Sequence, residues 1–447
     1  MQRLVTLATL ILFSSCPILG AQTPERALEP LALSSAIDEA LANNASLRAA
    51  RAGVDAAGAS AASARAANFP RISFTESWQR GDQPVFVFST LLASRRFAAS
   101  NFAIDQLNHP DPIGYFHATA GIEQIVFDGG ARGASVDTAR AQQEIAGLSM
   151  RETTLTLGAD ITNIYGQLLA AQAESVAALA AVAAGREDLA RAERRRDVGV
   201  TTEADVLALR VHVADMEQRA IRADGSAVVL RAQMNRLTGA PVDRAFRAVE
   251  PDTPAGAELP PVTDLVAEAE RERPEIQRAA VAEQVAENDR RAAKSPLLPK
   301  VAAQAAFDVS GTRFNDRASA WLVGGEFRWS LSTGGGERAQ MKAAAAGAVR
   351  ARAEAEDIRA QVQVEIVTAL EQIRSARARQ AVGLAAVAQA RESERIIRDR
   401  YQAGLLSIND VLRAAGAVLD GDTQRVTALV DEITGQARLN RAVGRMR

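Results

Sequence analysis

The feature that most constrains the fold is a duplication. The stretch RRRDVGVTTEADVLALR at 194–210 reappears as RDRYQAGLLSINDVLRA at 398–414, each with basic residues, a glycine between apolar neighbours, a hydroxyl residue and Asp-Val-Leu. Gly199 matches Gly404, Thr202 matches Ser407 and Asp205 matches Asp410, all 205 residues apart. MNRLTG (Met234 to Gly239) and LNRAVG (Leu439 to Gly444) keep the same offset, as do the glycine pairs in FDGGARGA from Phe127 and STGGGERA from Ser332. Self-similarity at a fixed offset marks repeated architecture, and a unit this long is a duplicated supersecondary assembly rather than a solenoid repeat. Each half is expected to fold alike.

Composition fits long helices. The chain is rich in alanine and poor in aromatics, and alanine loses no side-chain entropy in a helix. With 52 basic and 54 acidic residues, no basic face marks a nucleic-acid partner. The N-terminus reads as an export signal over 1–21: Arg3, an apolar run from Leu4 to Phe13, then small residues before PILGAQ. That run is too short to span a bilayer. The mature chain then begins near Ala21 or Gln22, outside the cytoplasm. Two readings are open at the single cysteine, Cys16: a lipidated first residue, or a signal residue that is cut away.

Each half reads as helix, two strands, long helix, tip and returning helix. In the first half (22–261) a helix over Ser34–Asn68 ends before Pro70, which cannot continue it. A strand at about 70–80 follows, with Ile72, Phe74 and Trp78 on one face and Ser73, Thr75 and Ser77 on the other. A weaker strand runs over about 117–127, and Gly129-Gly130 turns the chain into the long helix. A proline-rich link at 240–261 is expected to bulge at mid-height. The second half (262–447) repeats the order with a helix over Thr263–Lys294 and strands at about 300–310 and 320–331.

The long helices run without breakers from Gly130 to Val198, about 100 Å at helical rise. Ile161, Ile164, Tyr165 and Leu168 recur at coiled-coil-like steps, as do Ile358, Val362, Ile366 and Leu370 in the other half. Thr202 and Ser407 start the returning helices as caps, with Asp205 and Asp410 three residues on. Each strand suits either a half-buried soluble sheet or a tilted membrane strand, with Trp78, Trp321 and Trp329 placed for an interfacial belt. Four strands cannot close a barrel alone, and an open edge cannot face lipid. Membrane strands here require several chains to share one barrel.

The ordered set of duplication, proline-led strand entries, glycine-turn strand exits and the tips VGV (Val198, Gly199, Val200) and AGL (Ala403, Gly404, Leu405) resembles the TolC family of outer-membrane channels. The resemblance covers nearly the whole mature chain. It implies a mainly α fold with a small β part: a homotrimer whose long helical hairpins form an α-barrel tunnel in the periplasm, beneath a shared 12-stranded β-barrel in the outer-membrane lipid. It implies the exit duct of a tripartite efflux pump, with the tips docking a periplasmic adaptor protein that connects to an inner-membrane pump. The exit duct of a type I protein secretion system is the alternative within the family. A periplasmic coiled-coil scaffold or adaptor is the alternative outside it.

By the same resemblance the periplasmic entrance is narrowed at Asp205, Asp410 and Tyr401. Here Leu406 and Arg413 depart from the family's best-known gate, which has an arginine and an aspartate at those positions. The same two acids are where a helix cap needs them, so capping and gating are both open roles. Tyr401 equally suits packing. No enzyme is expected: His109, His117 and His212 are scattered without metal-ligand spacing, no nucleophile sits beside a base, and the glycine runs lack the lysine of a phosphate loop. No cofactor or metal is called for. An insertion at 81–115, present in the first half only, has no assigned role.

Overall fold

The computed structural model describes residues 28–251, 258–313, 315–331 and 334–446. The export signal and Cys16 lie outside the described residues. In order, the chain forms β1 (Glu29–Leu31), α1 (Leu33–Asn43), α2 (Ala45–Ala66), β2 (Arg71–Gly81), α3 (Pro84–Ala93), α4 (Ile104–Asn108), β3 (Ile113–Phe127), α5 (Ala131–Asp197), α6 (Glu203–Thr238) and β4 (Phe246–Ala248). The second half adds α7 (Val262–Glu272), α8 (Pro274–Ala292), β5 (Lys300–Arg313), β6 (Asp316–Arg328), α9 (Gly336–Gln402) and α10 (Ile408–Val443).

The two halves match in length. α5 and α9 each have 67 residues, and α6 and α10 each have 36. The long helices are therefore about 100 Å rods. α6 packs along α5, α10 along α9, and α5 meets α10, so two hairpins lie side by side. At their upper halves α2 packs on α5, and α8 lies between α5 and α9. Four apolar clusters hold this layer: Ile161, Tyr165, Leu168 and Met234 with Phe246; Val362, Ile366, Leu370 and Ile373 with Leu265 and Val443; Ala141 and Leu148 with Val281; and, near the tips, Val206, Leu209, Ile408 and Val411.

The expected helix over Ser34–Asn68 is broken in two. Asn44 takes an extended conformation, and its side-chain oxygen caps α2 by accepting from the backbone N–H of Ser46 (2.9 Å) and Leu47 (3.2 Å). Its amide donates to Leu237 O at 2.8 Å, tying the break to the end of α6. The expected helix over Thr263–Lys294 likewise breaks at Arg273, because the following Pro274 disfavours a helical residue before it and itself suits a helix start. Arg273 is 2% exposed. Its guanidinium bonds Glu275 (2.8 Å), Glu365 (2.8 Å) and Arg441 O (3.0 Å), tying this break to the end of α10.

Between the hairpins, the link after α6 holds β4, which pairs in parallel with β1. The buried Tyr165 hydroxyl sits 2.7 Å from Leu31 O and 2.6 Å from Val249 O and accepts from Val249 N–H at 2.8 Å, pinning both segments to α5.

The strands form one four-stranded antiparallel sheet, order β2-β3-β5-β6. β3 begins at Ile113 rather than near 117, because β2 runs on to Gly81, whose partner across the ladder is Ile113. β6 runs over 316–328 rather than 320–331: Trp329 leaves the ladder and donates its indole N–H to Leu297 O at 3.1 Å. The register stacks Ile72 with Ile122 and Ala305 with Val323 on one face, together with Phe74, Phe307 and Trp321. The opposite face carries Thr75, Thr119, Asp308, His117 and Ser310. The sheet therefore has one apolar and one polar side, and the apolar side is exposed in the single chain.

Candidate functional site

Two regions present chemistry at opposite ends of the molecule: the hairpin tips and the sheet. At each tip a long helix closes through a left-handed glycine, Gly199 at φ 74° and Gly404 at φ 78°. The closing bonds correspond: Val200 N–H to Arg195 O at 2.8 Å, and Leu405 N–H to Arg400 O at 3.0 Å. Side chains strain that conformation and glycine does not. Neither glycine has a neighbour within 4 Å of where a Cβ would stand, so the constraint is backbone conformation rather than space. The apolar residues beside them face outward, Val198 and Leu405 each 73% exposed and Val200 63%. Ala403 ends the second long helix beside Gly404.

The returning helices begin with reciprocal caps. Asp205 N–H donates to Thr202 Oγ1 at 3.2 Å, and the Asp205 carboxylate accepts from the Thr202 hydroxyl at 2.9 Å. The Asp410 carboxylate accepts from the Ser407 hydroxyl at 2.8 Å and from its N–H at 3.2 Å. Those Ser407 bonds, the hydroxyl's above all, with lesser help from the Arg413 charge, hold the Asp410 carboxyl below the ordinary aspartate range. Arg413 reaches Asp410 at 3.6 Å from a largely exposed position.

Tyr401 does not bond either acid. Its ring packs on the apolar cluster of Ala192, Val206, Leu209, Ile408 and Val411 that joins the two hairpins above the tips. The Arg195 guanidinium lies 5.9 Å from the ring centre. Burial, then the Asp205 charge, raises the Tyr401 phenol. The structure thus brings Tyr401 to the seam between hairpins, and leaves Asp205 and Asp410 each within its own cap. Sequence reading missed Arg195 and the Arg398 contacts to Glu394 (2.7 Å) and Asp188 (3.8 Å). The apolar repeat of Val206 and Val411, the same 205 residues apart, was the available signal for the seam.

On the sheet's polar face, His117 bonds Ser310 at 3.0 Å and Thr119 at 2.9 Å, and lies 3.5 Å from Asp308. Tyr115 stacks on its ring. Of the other histidines, His109 closes α4 and His212 lies on α6, where burial lowers its pKa. Among the described residues no group of three or more His, Cys, Asp or Glu is placed to hold a metal ion.

The chain matches the family model described as outer membrane efflux protein over residues 36–240 and 265–445. No curated protein matches it. Its fold is similar to the outer-membrane channel OprN (22% identity, 92% of this chain, 89% of that chain, TM-score 0.78). It is also similar to the outer membrane protein VceC of Vibrio cholerae (22%, 92% and 96%, TM-score 0.75) and to the CmeC outer membrane channel of Campylobacter jejuni (16%, 92% and 85%, TM-score 0.79). The two matched ranges fall in the two duplicated halves, and family membership makes this an outer-membrane channel rather than an enzyme. The chain belongs to the outer membrane efflux protein family.

Proposed function

We propose that three copies of the chain form one duct, a 12-stranded barrel in the outer membrane above a helical tunnel in the periplasm, that expels small molecules delivered by an inner-membrane pump through a periplasmic adaptor. The observation that carries this reading is the arrangement of open edges. Among the described residues, β2 and β6 each pair on one side only. β2 continues from α2 and β6 leads into α9, so the sheet and the helical layer end on the same two flanks. Exposed apolar side chains continue those flanks, with Val211, Ile221 and Val228 on α6 and Val349, Val364 and Val382 on α9. Two unlike flanks make a head-to-tail contact, which forms a closed ring when the rotation permits. Closure also resolves the exposed apolar face of Ile72, Phe74 and Trp321, which lipid would cover, and places the polar face inward.

The tips stand at the far end from the sheet, and two near-identical apolar knobs per chain suit a repeated contact with adaptor hairpins. Asp205 and Asp410, multiplied by threefold symmetry, place a ring of carboxylates just above them, with Tyr401 and Arg413 in the same turns. The test is loss of the gene. Cells lacking the chain should become sensitive to a panel of toxic small compounds and recover when it is restored. Unchanged sensitivity with loss of one secreted protein would instead favour the protein-export reading.

A further inference from the structure

The insertion between β2 and β3 is the part of the fold that the duplication does not require. In the second half the matching strands, β5 and β6, are separated by two residues, whereas β2 and β3 are separated by residues 82–112. The insertion is folded. Phe88, Phe97 and Phe102 form an edge-to-face cluster, with Phe88 and Phe97 centres 4.6 Å apart and Phe97 and Phe102 5.0 Å apart.

It lies on one side of the sheet. Phe86 of α3 meets the Tyr115 ring edge-on at 6.1 Å, and a side chain added at Gly81 would touch Phe86. Tyr115 shares the polar face with His117 and Ser310, which it contacts. Two arginines fasten the end of α3 to the β5–β6 strand pair: Arg95 donates to Ser319 O at 2.9 Å, and Arg96 bonds the Thr312 hydroxyl. Arg95 holds φ 55°, the only positive value at a non-glycine among the described residues. Glycine would relieve that strain, but it would remove the guanidinium that reaches Ser319. The opposite side of α3 carries Val85, Ser89 and Leu92, all exposed.

We infer that residues 82–112 form the outer constriction of the exit path, a threefold apolar collar that passes small molecules and excludes bulky polymers and folded protein. The inference rests on the barrel proposed above, in which the polar face lines the lumen. The insertion sits at the end of the strands away from the helices, where the duct opens outward. Its face turned away from the sheet then points to the pore axis, where Val85 and Leu92 of each copy line the opening. Apolar constrictions resist wetting and narrow a pore.

The test places a thiol beneath the collar. Thr75 lies mid-strand on the polar face of β2, paired with Thr119. In intact cells carrying Thr75→Cys, a small external maleimide should label this site, and a maleimide bearing a bulky polyethylene glycol chain should not. The unmodified chain, whose single cysteine is Cys16, supplies the background. Removing residues 84–110, or introducing Arg95→Ala with Arg96→Ala, should speed labelling by the bulky reagent about tenfold or more. The double substitution decides the matter if the deletion variant does not assemble. Labelling of the intact chain by the bulky reagent, or exclusion that persists in the variants, overturns the collar and leaves the duct standing. Failure of the small reagent to reach Thr75→Cys means the polar face does not line an open lumen, and both readings fall.

Discussion

Replacing the tip glycines separates backbone conformation from side-chain bulk. Gly199 and Gly404 hold φ near 74° and 78°, and nothing within 4 Å would clash with an added Cβ. The cost of substitution is therefore conformational, about 1–2 kcal/mol for an ordinary residue in the left-handed region. That shifts a local equilibrium by roughly 5–30-fold, because 1.4 kcal/mol is a factor of ten. Valine at both tips strains both turns of each chain, whereas asparagine tolerates the left-handed conformation with a side chain of similar size. Gly199→Val with Gly404→Val should abolish resistance to toxic compounds while the protein stays assembled in the outer membrane. Gly199→Asn with Gly404→Asn should retain most of it. Resistance is read as the lowest inhibitory concentration of each compound, and assembly by membrane fractionation. Full resistance in the double valine variant, or equal loss in valine and asparagine variants, would refute the claim that tip shape governs docking.

Arg273→Ala leaves Glu275 and Arg441 O without their buried partner, and should cost about 3–5 kcal/mol in unfolding stability, read by denaturation in detergent. Asn44→Ala removes both the α2 cap and the bond to Leu237 O and should cost about 1–2 kcal/mol in the same assay. Asp205→Asn with Asp410→Asn keeps most capping, so folding should persist, while cation preference in a planar bilayer should fall; unchanged selectivity would make these acids caps only. Because the folded Asp410 carboxyl is held below its ordinary value, its contribution is complete above the usual aspartate range. It fades as pH falls through the lowered folded value, so the cation preference that remains in an Asp205→Asn variant, where Asp410 alone carries the charge, should hold steady from neutral pH through the usual aspartate range.

The duplication, hairpin lengths and strand alternation were legible because each is a pattern repeated over many residues. Unbroken alanine-rich stretches give helix length directly, and the glycine-turn tips recur at a fixed offset. The breaks at Asn44 and Arg273 were not legible by period, since apolar spacing continues on both sides of a single extended residue. β1 and β4 have three residues each, too few for alternation to show. Arg273 looks like any solvated arginine in a chain full of them, and only tertiary structure shows its burial. The recurring NRLTG and NRAVG were visible without a reason. Gly239 and Gly444 end α6 and α10 in left-handed conformation, and a Cβ would stand 2.9 Å from Asn43 O and 2.7 Å from Glu272 O. Each motif is the mark of a helix end pressed against the break in a neighbouring helix. At the tips, the cap positions of Asp205 and Asp410 were legible in the sequence, but the Arg195 contact to Tyr401 crosses between hairpins, beyond what spacing within one helix can reveal.

The central claim, that several chains share one barrel, is tested most directly by native mass measurement of protein extracted from the outer-membrane fraction. The account predicts a species of three mature chains, retained in the membrane and stable in mild detergent. A single chain, or a soluble species in the periplasmic fraction, would leave the edges of β2 and β6 open and contradict it.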